Sequence, residues 1–471
     1  MRHDTGRVVL TQAAVAAHFT DRIKRGITPS TVYAVFTPEG ISFAQGLGDA
    51  GSGRTPTVDT AYRIASCTKS FTAATLLIMV ERGLVSLEDP IDRYLPTGPL
   101  IGPDGAPVDP PTLRQLVTMS AGLPTDDPWA DRQESLTAEQ FAAALAPGVR
   151  FTARPGERYE YSNLGFALLG QVIERVGGRG YVQTVTEELV TPLGLDGIGY
   201  DTSVAAPDGI AVGHRRIDGT WTPLPFSAPG AFSPIGGVFA TPRALVRWAS
   251  WLAAAFTESD DHGQPLGRFS RRLMQSIQQP IPSGPGIRGG YGMGLVVEES
   301  DRHGTIAGHS GGYPGFGAHM RWHAASGIGV IGLENGTYSR VVAPVTAALR
   351  TILDEVLVPD VEPQLWPETA AARLTVERLI RDWDDQVADE LFADNVDLDD
   401  SLDRRRTSWA RLAAEVGLDA EPLPLIDSAP LSTTPAQLSW TIPGRTGTLR
   451  CEISLTPQNP PKVQTVRIAR G

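Results

Sequence analysis

The sequence predicts an α/β protein of the α+β kind: a large domain of antiparallel strands with helices around them and a helical insertion, and a small C-terminal α+β domain. Three observations predict it. At 471 residues with 41% hydrophobic side chains, the chain is too long for one ordinary domain and rich enough to bury more than one core. From Gly290 onward, "YGMGLVVEES", "GTIAGHSG", "GAHMRWHAASG" and "IGVIGLENG" are short β-like segments separated by Gly or Asn turns, which is hairpin spacing and leaves no room for crossover helices. Further on, "VPDVEPQLWPET" places Pro359, Pro363 and Pro367 within a dozen residues and reads as a linker.

In order along the chain, "LTQAAVAAHFTDRIKRG" is a helix closed by Gly26, and "TVYAVFTPEGISFAQGLG" is a hairpin around a Pro-Glu-Gly turn. A helix then spans Phe71 to Val80 at apolar 3.6 spacing and stops at Gly83; Ser66 stands at its entrance. Residues 85 to 235 mix Pro/Gly loops with helical patterns such as "NLGFALLGQVIERVGG", where Leu164, Leu168, Val172 and Val176 share a face. This is the helical insertion. After the strands comes a last helix, "VAPVTAALRTILDEVL". The expected domains are residues 1–358, a linker at 359–368, and 369–471, the last opening with the helices "ARLTVERLIRDW" and "RRTSWARLAAEVG" and closing with the strands "AQLSWTIPG", "TLRCEISLTP" and "KVQTVRIA".

Composition excludes several functions. A net charge of −12 and a pI near 5.2 repel nucleic-acid phosphates and anionic lipid, so neither is expected as a partner. Cys67 and Cys451 make neither a disulfide framework nor a zinc cluster. Thr11, Gln12 and His18 interrupt the apolar N-terminal stretch, which reads as a first helix and not a signal peptide; a cytoplasmic location is expected. Neither metal nor cofactor is expected. "DNVDLDDSLD" lacks the Gly and Glu of a calcium loop, and His303, His319 and His323 are joined by no acidic or Cys ligand pattern.

Two serines compete for chemistry. Ser310 lies in Gly308-His309-Ser310-Gly311-Gly312, a G-x-S-x-G match to a nucleophile elbow, which needs a helix directly after the serine. "GGYPGFGAHMRW" cannot start one, and the match is cheap in a chain with 50 glycines. Ser66-Cys67-Thr68-Lys69 is different. Residues i and i+3 of a helix share a face, so Lys69 can reach Ser66, and the free N–H groups of the first turn favour an anion there. Of 41 basic residues only Lys24, Lys69 and Lys462 are Lys, and a desolvated Lys can lose its proton where Arg cannot.

With Tyr161-Ser162-Asn163 after a Pro-Gly turn and His309-Ser310-Gly311 on a strand, the sequence shows S-x-x-K, Y-x-N and H-x-G in that order. It resembles the serine β-lactamase and penicillin-binding-protein superfamily, in the branch of class C β-lactamases, D-alanyl-D-alanine carboxypeptidases, D-aminopeptidases and carboxylesterases. "YRIASCTKSFTA", "GLVSLEDPIDRYLP", "PTLRQLVTMSAGLP", "PGERYEYSNLGFALLG", "GGVFATPRALVRW" and "YGMGLVV" carry the likeness over about residues 10 to 355. The C-terminal unit lies outside it and looks like accessory domains of some such hydrolases.

The resemblance implies an antiparallel sheet flanked by helices, with the active site between sheet and helical subdomain. It implies Ser66 as nucleophile, Lys69 and Tyr161 as the proton-handling pair with the base undecided between them, and an oxyanion hole from the N–H groups of Ser66 and Gly312. Asn163 would hold the substrate carbonyl side, Ser310, Gly311 and Gly312 would line the substrate, and His309 replaces the Lys of K-T-G. A neutral His pairs weakly with a carboxylate near pH 7. The expected activity is hydrolysis of a small ester, amide or D-peptide through an acyl-Ser66 intermediate. The alternatives are a β-lactamase, a D-alanyl-D-alanine carboxypeptidase or a slowly deacylating penicillin-binding sensor. Oligomeric state is left open.

Overall fold

The computed structural model describes residues 5–257, 262–284, 286–357, 365–418, 432 and 434–471. Contacts divide the chain into two compact units, Met1–Val356 and Leu357–Gly471. Pro359 and Pro363 of the expected linker lie outside the described residues; Pro367 opens a helix.

In the large unit an eight-stranded antiparallel sheet is built from β1 (Ser30–Thr37), β2 (Gly40–Gly48), β3 (Gln279–Ile281), β4 (Ile287–Tyr291), β5 (Val296–Ser300), β6 (Gly304–Tyr313), β7 (Phe316–His323) and β8 (Gly329–Glu334). The strand order is β3-β4-β5-β6-β7-β8-β1-β2, so the N-terminal hairpin closes onto the last strand of the C-terminal meander. β7 and β8 are buried along their full length, as expected of strands covered on both faces.

The helices α1 (Thr5–Lys24), α2 (Lys69–Glu81), α3 (Asn163–Gly177), α4 (Pro242–Ala254) and α5 (Val342–Val356) surround the sheet or build the insertion. α2 is buried from Lys69 to Met79, and its Phe71 stacks on Trp248 of α4 at 4.1 Å between ring centroids. Thr241 accepts the Ala244 N–H at 3.2 Å and Pro242 occupies the first helical position, so α4 starts with two strong N-terminal signals. The insertion between α2 and α4 holds α3, other short helices and two-residue strands.

The small unit pairs α6 (Pro367–Arg381) and α7 (Leu402–Val416) with a three-stranded sheet of β9 (Gln437–Pro443), β10 (Thr448–Leu455) and β11 (Val463–Arg470). β9 alternates buried and half-buried residues, the mark of a sheet with one face on a core. Leu438, Trp440, Ile442, Cys451 and Ile453 form that core with Val376 and Trp409. "DNVDLD" is a short helix, Asp394–Asp399.

Candidate active site

Ser66 sits in a 3₁₀ turn, Ala65–Thr68, that runs directly into α2. Ala65 just before it has φ 48°, a left-handed conformation that a non-glycine residue adopts only when its surroundings over-determine it. The surroundings do so here. Ile64 donates to Val238 O at 2.9 Å, Val238 N donates to Thr68 Oγ1 at 3.1 Å, and the Cys67 thiol donates to His309 O at 3.2 Å. Behind the turn Arg63 pairs with Glu134 at 2.8 Å, both buried, and Glu134 also accepts from Ser233 and Tyr313. Removing either partner would leave a buried charge without compensation.

Lys69, at the first position of α2, is completely buried. Its Nζ lies 3.0 Å from Ser66 Oγ, 2.7 Å from Asn163 Oδ1 and 3.0 Å from Ile235 O. The two carbonyl oxygens can only accept, so each faces an N–H. The third tetrahedral position therefore points at Ser66 Oγ and, in the neutral amine, carries the lone pair. Burial pushes the Lys69 ammonium down to about 8, against the carboxylates of Asp127, Asp131 and Asp126, which pull it up. The Tyr161 ring centroid lies 5.0 Å from Nζ. The Tyr161 hydroxyl shares a hydrogen bond with Ser66, and burial raises it well above the usual tyrosine range, so it is a neutral phenol at working pH.

Asn163 opens α3 and is completely buried. Its Oδ1 faces Lys69, while Nδ2 donates to Asp127 Oδ1 at 2.6 Å and Asp126 Oδ1 at 3.2 Å. The amide thus bonds Lys69 on one side and two carboxylates on the other, and so holds Lys69 beside Ser66. Asp126 caps α3 from another loop, accepting from Asn163 N at 2.7 Å and Leu164 N at 2.9 Å. Such a cap contributes about 1 kcal/mol.

The opposite wall is β6. Its pairing with β5 ends at Gly308, opposite Val296, so residues 309–313 present a strand edge that pairs with no strand on that side among the described residues. That edge packs on the Ser66 turn: a Cβ on Gly311 would stand 2.3 Å from Ile64 O and 3.0 Å from Ser66 N. Only glycine permits this approach. His309 is buried, and its Nδ1 lies 2.6 Å from Ser310 O, which can only accept. The proton is therefore on Nδ1, and Nε2 accepts from the Tyr291 hydroxyl at 3.0 Å. Burial and the nearby Lys69 push His309 down to about 3. It is a neutral ring.

Ser310 points to the other face of the strand, is exposed, and is followed by a two-residue turn into β7 with no helix. The structure thus brings Ser66, Lys69, Tyr161, Asn163 and His309 together with Gly311 and Gly312, and exposes the Ser310 side chain on the face of the strand that Gly312 shares. His319 is buried opposite Ser310, His323 bonds Ser326, and His303 bonds Asp354. No three potential ligands gather at any point among the described residues. The reading of the sequence missed Asp126, Asp127, Asp131, Tyr291 and Tyr338. "PTDDPWAD" and "GGYGMG" hold four of them, but nothing local ties those letters to Ser66.

Residues 11–354 match the family model described as Beta-lactamase. The chain belongs to the β-lactamase family. Within the family it is 28% identical to the D-alanyl-D-alanine-carboxypeptidase/endopeptidase AmpH of Escherichia coli (strain K12), over 59% of this chain and 72% of that one. The D-amino acid amidase of Ochrobactrum anthropi SV3, solved with L-phenylalanine amide, superposes with a TM-score of 0.58 at 25% identity, covering 74% of this chain and 99% of the amidase. The octameric penicillin-binding protein homologue of Pyrococcus abyssi has a similar fold, with a TM-score of 0.63 at 19% identity over 97% of this chain and 99% of that one. No helix among the described residues is long and apolar enough to cross a membrane.

Proposed function

We propose that this serine hydrolase of the β-lactamase family forms an acyl-Ser66 intermediate on small neutral esters and on amides of D-amino acids. One observation carries the assignment of roles: the buried Lys69 amine, fixed by two carbonyls, with its remaining position on Ser66 Oγ at 3.0 Å. Neutral Lys69 accepts the Oγ proton as Oγ bonds to the substrate carbonyl carbon. The negative oxygen of the tetrahedral intermediate is held by the N–H groups of Ser66 and Gly312. Collapse breaks the ester C–O or amide C–N bond, and the leaving group takes a proton relayed from Lys69 through the Tyr161 phenol. Water then adds to the acyl carbon, gives its proton to Lys69, and Ser66 Oγ leaves with a proton.

The charge around the site selects substrate. Neutral His309 brings no cation to a carboxylate, and Asp126, Asp127 and Asp131 act on Lys69 from the loop opposite. Anionic β-lactams and peptides ending in a carboxylate are disfavoured relative to neutral esters and to amides that carry an ammonium. The amidase relative acts on such amides, as its name says. Steady-state kinetics on p-nitrophenyl butyrate, D-phenylalanine amide and a chromogenic cephalosporin test this. Turnover of the ester or the amide at least ~10-fold above the cephalosporin is expected, since each unit of mispaired charge costs about that much. A preference for the cephalosporin would replace the reading with β-lactamase, and a burst without steady state would identify a slowly deacylating binder.

A further inference from the structure

The loop after β8 carries a tyrosine that the reaction does not use. Tyr338 has φ 48° and Arg340 has φ 54°, both left-handed and both costly for residues other than glycine. The backbone between them is held from two sides. Thr337 N donates to His214 O at 2.9 Å, Gly315 N donates to Thr337 Oγ1 at 2.8 Å, and Arg22 donates to Ser339 O. This fixed backbone aims the Tyr338 ring at the end of β6. A Cβ on Gly312 would lie 2.7 Å from Tyr338 Cδ1, so the ring occupies the space a side chain would take at the residue whose N–H serves the oxyanion.

From there the Tyr338 hydroxyl crosses to the helical insertion and donates to Asp131 Oδ2 at 2.7 Å. Asp131 follows the short helix Asp127–Ala130 and is only 6% exposed. A buried carboxylate needs its donors, and this bond supplies one. Asp131 also acts electrostatically on Lys69. The loop after the sheet and the insertion are thus tied together beside Gly312 by this side-chain bond.

The geometry points to a latch: Tyr338 and Asp131 close one side of the Ser66 cleft, and Tyr338 is the residue that sets how large an acyl group it admits. The inference rests on Ser66 being the nucleophile. With the latch closed, the ring stands beside the carbonyl being attacked and leaves room for a short acyl chain. Opening it requires a rotation of the Tyr338 side chain and the loss of the bond to Asp131, because the backbone is pinned. Tyr338 is a specificity-determining residue in this account, and Asp131 is a positioning residue acting through it.

The test is kcat/KM for p-nitrophenyl acetate, butyrate and octanoate in the full chain, read as the octanoate-to-acetate ratio. Tyr338→Ala is expected to raise the ratio by ~10-fold or more, on the scale that a few methylenes of pocket contribute to discrimination. Tyr338→Phe and Asp131→Leu each remove the same bond, the first by deleting the donor and the second the acceptor, so each is expected to raise it ~3-fold, and the double variant to raise it no further, as for two residues acting as one unit. If Tyr338 and Asp131 only stabilised the fold, melting temperature would fall and all three esters would slow by a common factor. An unchanged ratio in the folded Phe and Leu variants, or additive effects in the double variant, overturns the latch. Fluorophosphonate labelling, run alongside on wild type and Ser66→Ala, separates the two levels: labelling that survives Ser66→Ala overturns the nucleophile assignment instead.

Discussion

Ser66 and Ser310 lie on facing walls of one cleft and differ in almost every physical respect. Ser310 sits inside the more familiar five-residue pattern, yet it is exposed on a regular strand, and its neighbours Gly311 and Gly312 serve through their backbones. Ser66 sits in a strained turn at a helix N-terminus, beside a fully buried amine 3.0 Å away and under a buried phenol. A hydroxyl becomes a nucleophile when a desolvated base can take its proton and fixed N–H groups can take the charge. Those are properties of a site, and a short local pattern carries neither of them.

The comparison is tested most severely by removing each hydroxyl in turn. Ser66→Ala is expected to abolish ester turnover and covalent labelling by a fluorophosphonate, whereas Ser310→Ala keeps labelling at the wild-type position as read by peptide mass spectrometry. The reverse pattern would put the chemistry on the strand.

Next in size is the base. Lys69→Arg keeps the charge and cannot accept a proton, and Tyr161→Phe removes the relay; each is expected to lower kcat by ~10²–10⁴-fold. In the wild type, the neutral fraction of Lys69 grows as pH rises through about 8, so kcat/KM on a neutral ester is expected to climb to a plateau above that pH. His309, pushed down to about 3, adds no inflection between pH 5 and 8. A pH profile flat from 7 to 9 would remove Lys69 from the role of base.

Gly311→Ala probes how the two walls fit. Its Cβ would meet backbone atoms, Ile64 O at 2.3 Å and Ser66 N at 3.0 Å, so the strand or the turn must shift. A loss of ~1–3 kcal/mol in stability, as for overpacked cores, is expected, together with a larger loss in kcat than in KM. Calorimetry and kinetics on the same sample check both.

The smallest effect is expected from His309→Lys, which brings a cation to the strand wall. It should move the cephalosporin-to-ester ratio of kcat/KM by ~10-fold toward the carboxylate-bearing substrate, the scale of one charged hydrogen bond. A ratio that does not move would show that His309 is not what excludes carboxylates.

Much of the fold was legible because its signals are local. The 3.6-residue spacing of Leu164, Leu168, Val172 and Val176 marked α3, and Gly- and Asn-bounded β-like segments marked the strands from β5 to β8, while β3 and β4 at the sheet edge were not read. The short helix over "DNVDLD" and the two-residue strands of the insertion were missed, since such pieces are stabilised by what they pack on and not by their own pattern. In the site, Ser66 and Lys69 were readable because i and i+3 are near in any helix, and Tyr161 and Asn163 because their motif carries a resemblance.

The chain alone determined that Ser66 and Lys69 stand at a helix entrance, that Lys is rare enough for Lys69 to matter, and that no helix can follow Ser310; each rests on neighbours within a few residues. Only the tertiary structure decided the rest. It buried Lys69 and lowered its proton affinity, and it set Asn163 between Lys69 and the carboxylates of Asp126 and Asp127. It put the proton of His309 on Nδ1 through Ser310 O and Tyr291, and it joined Tyr338 to Asp131 across 207 residues of chain. Desolvation and hydrogen-bond direction depend on atoms distant in sequence, and those atoms meet only when the sheet and the insertion close on each other.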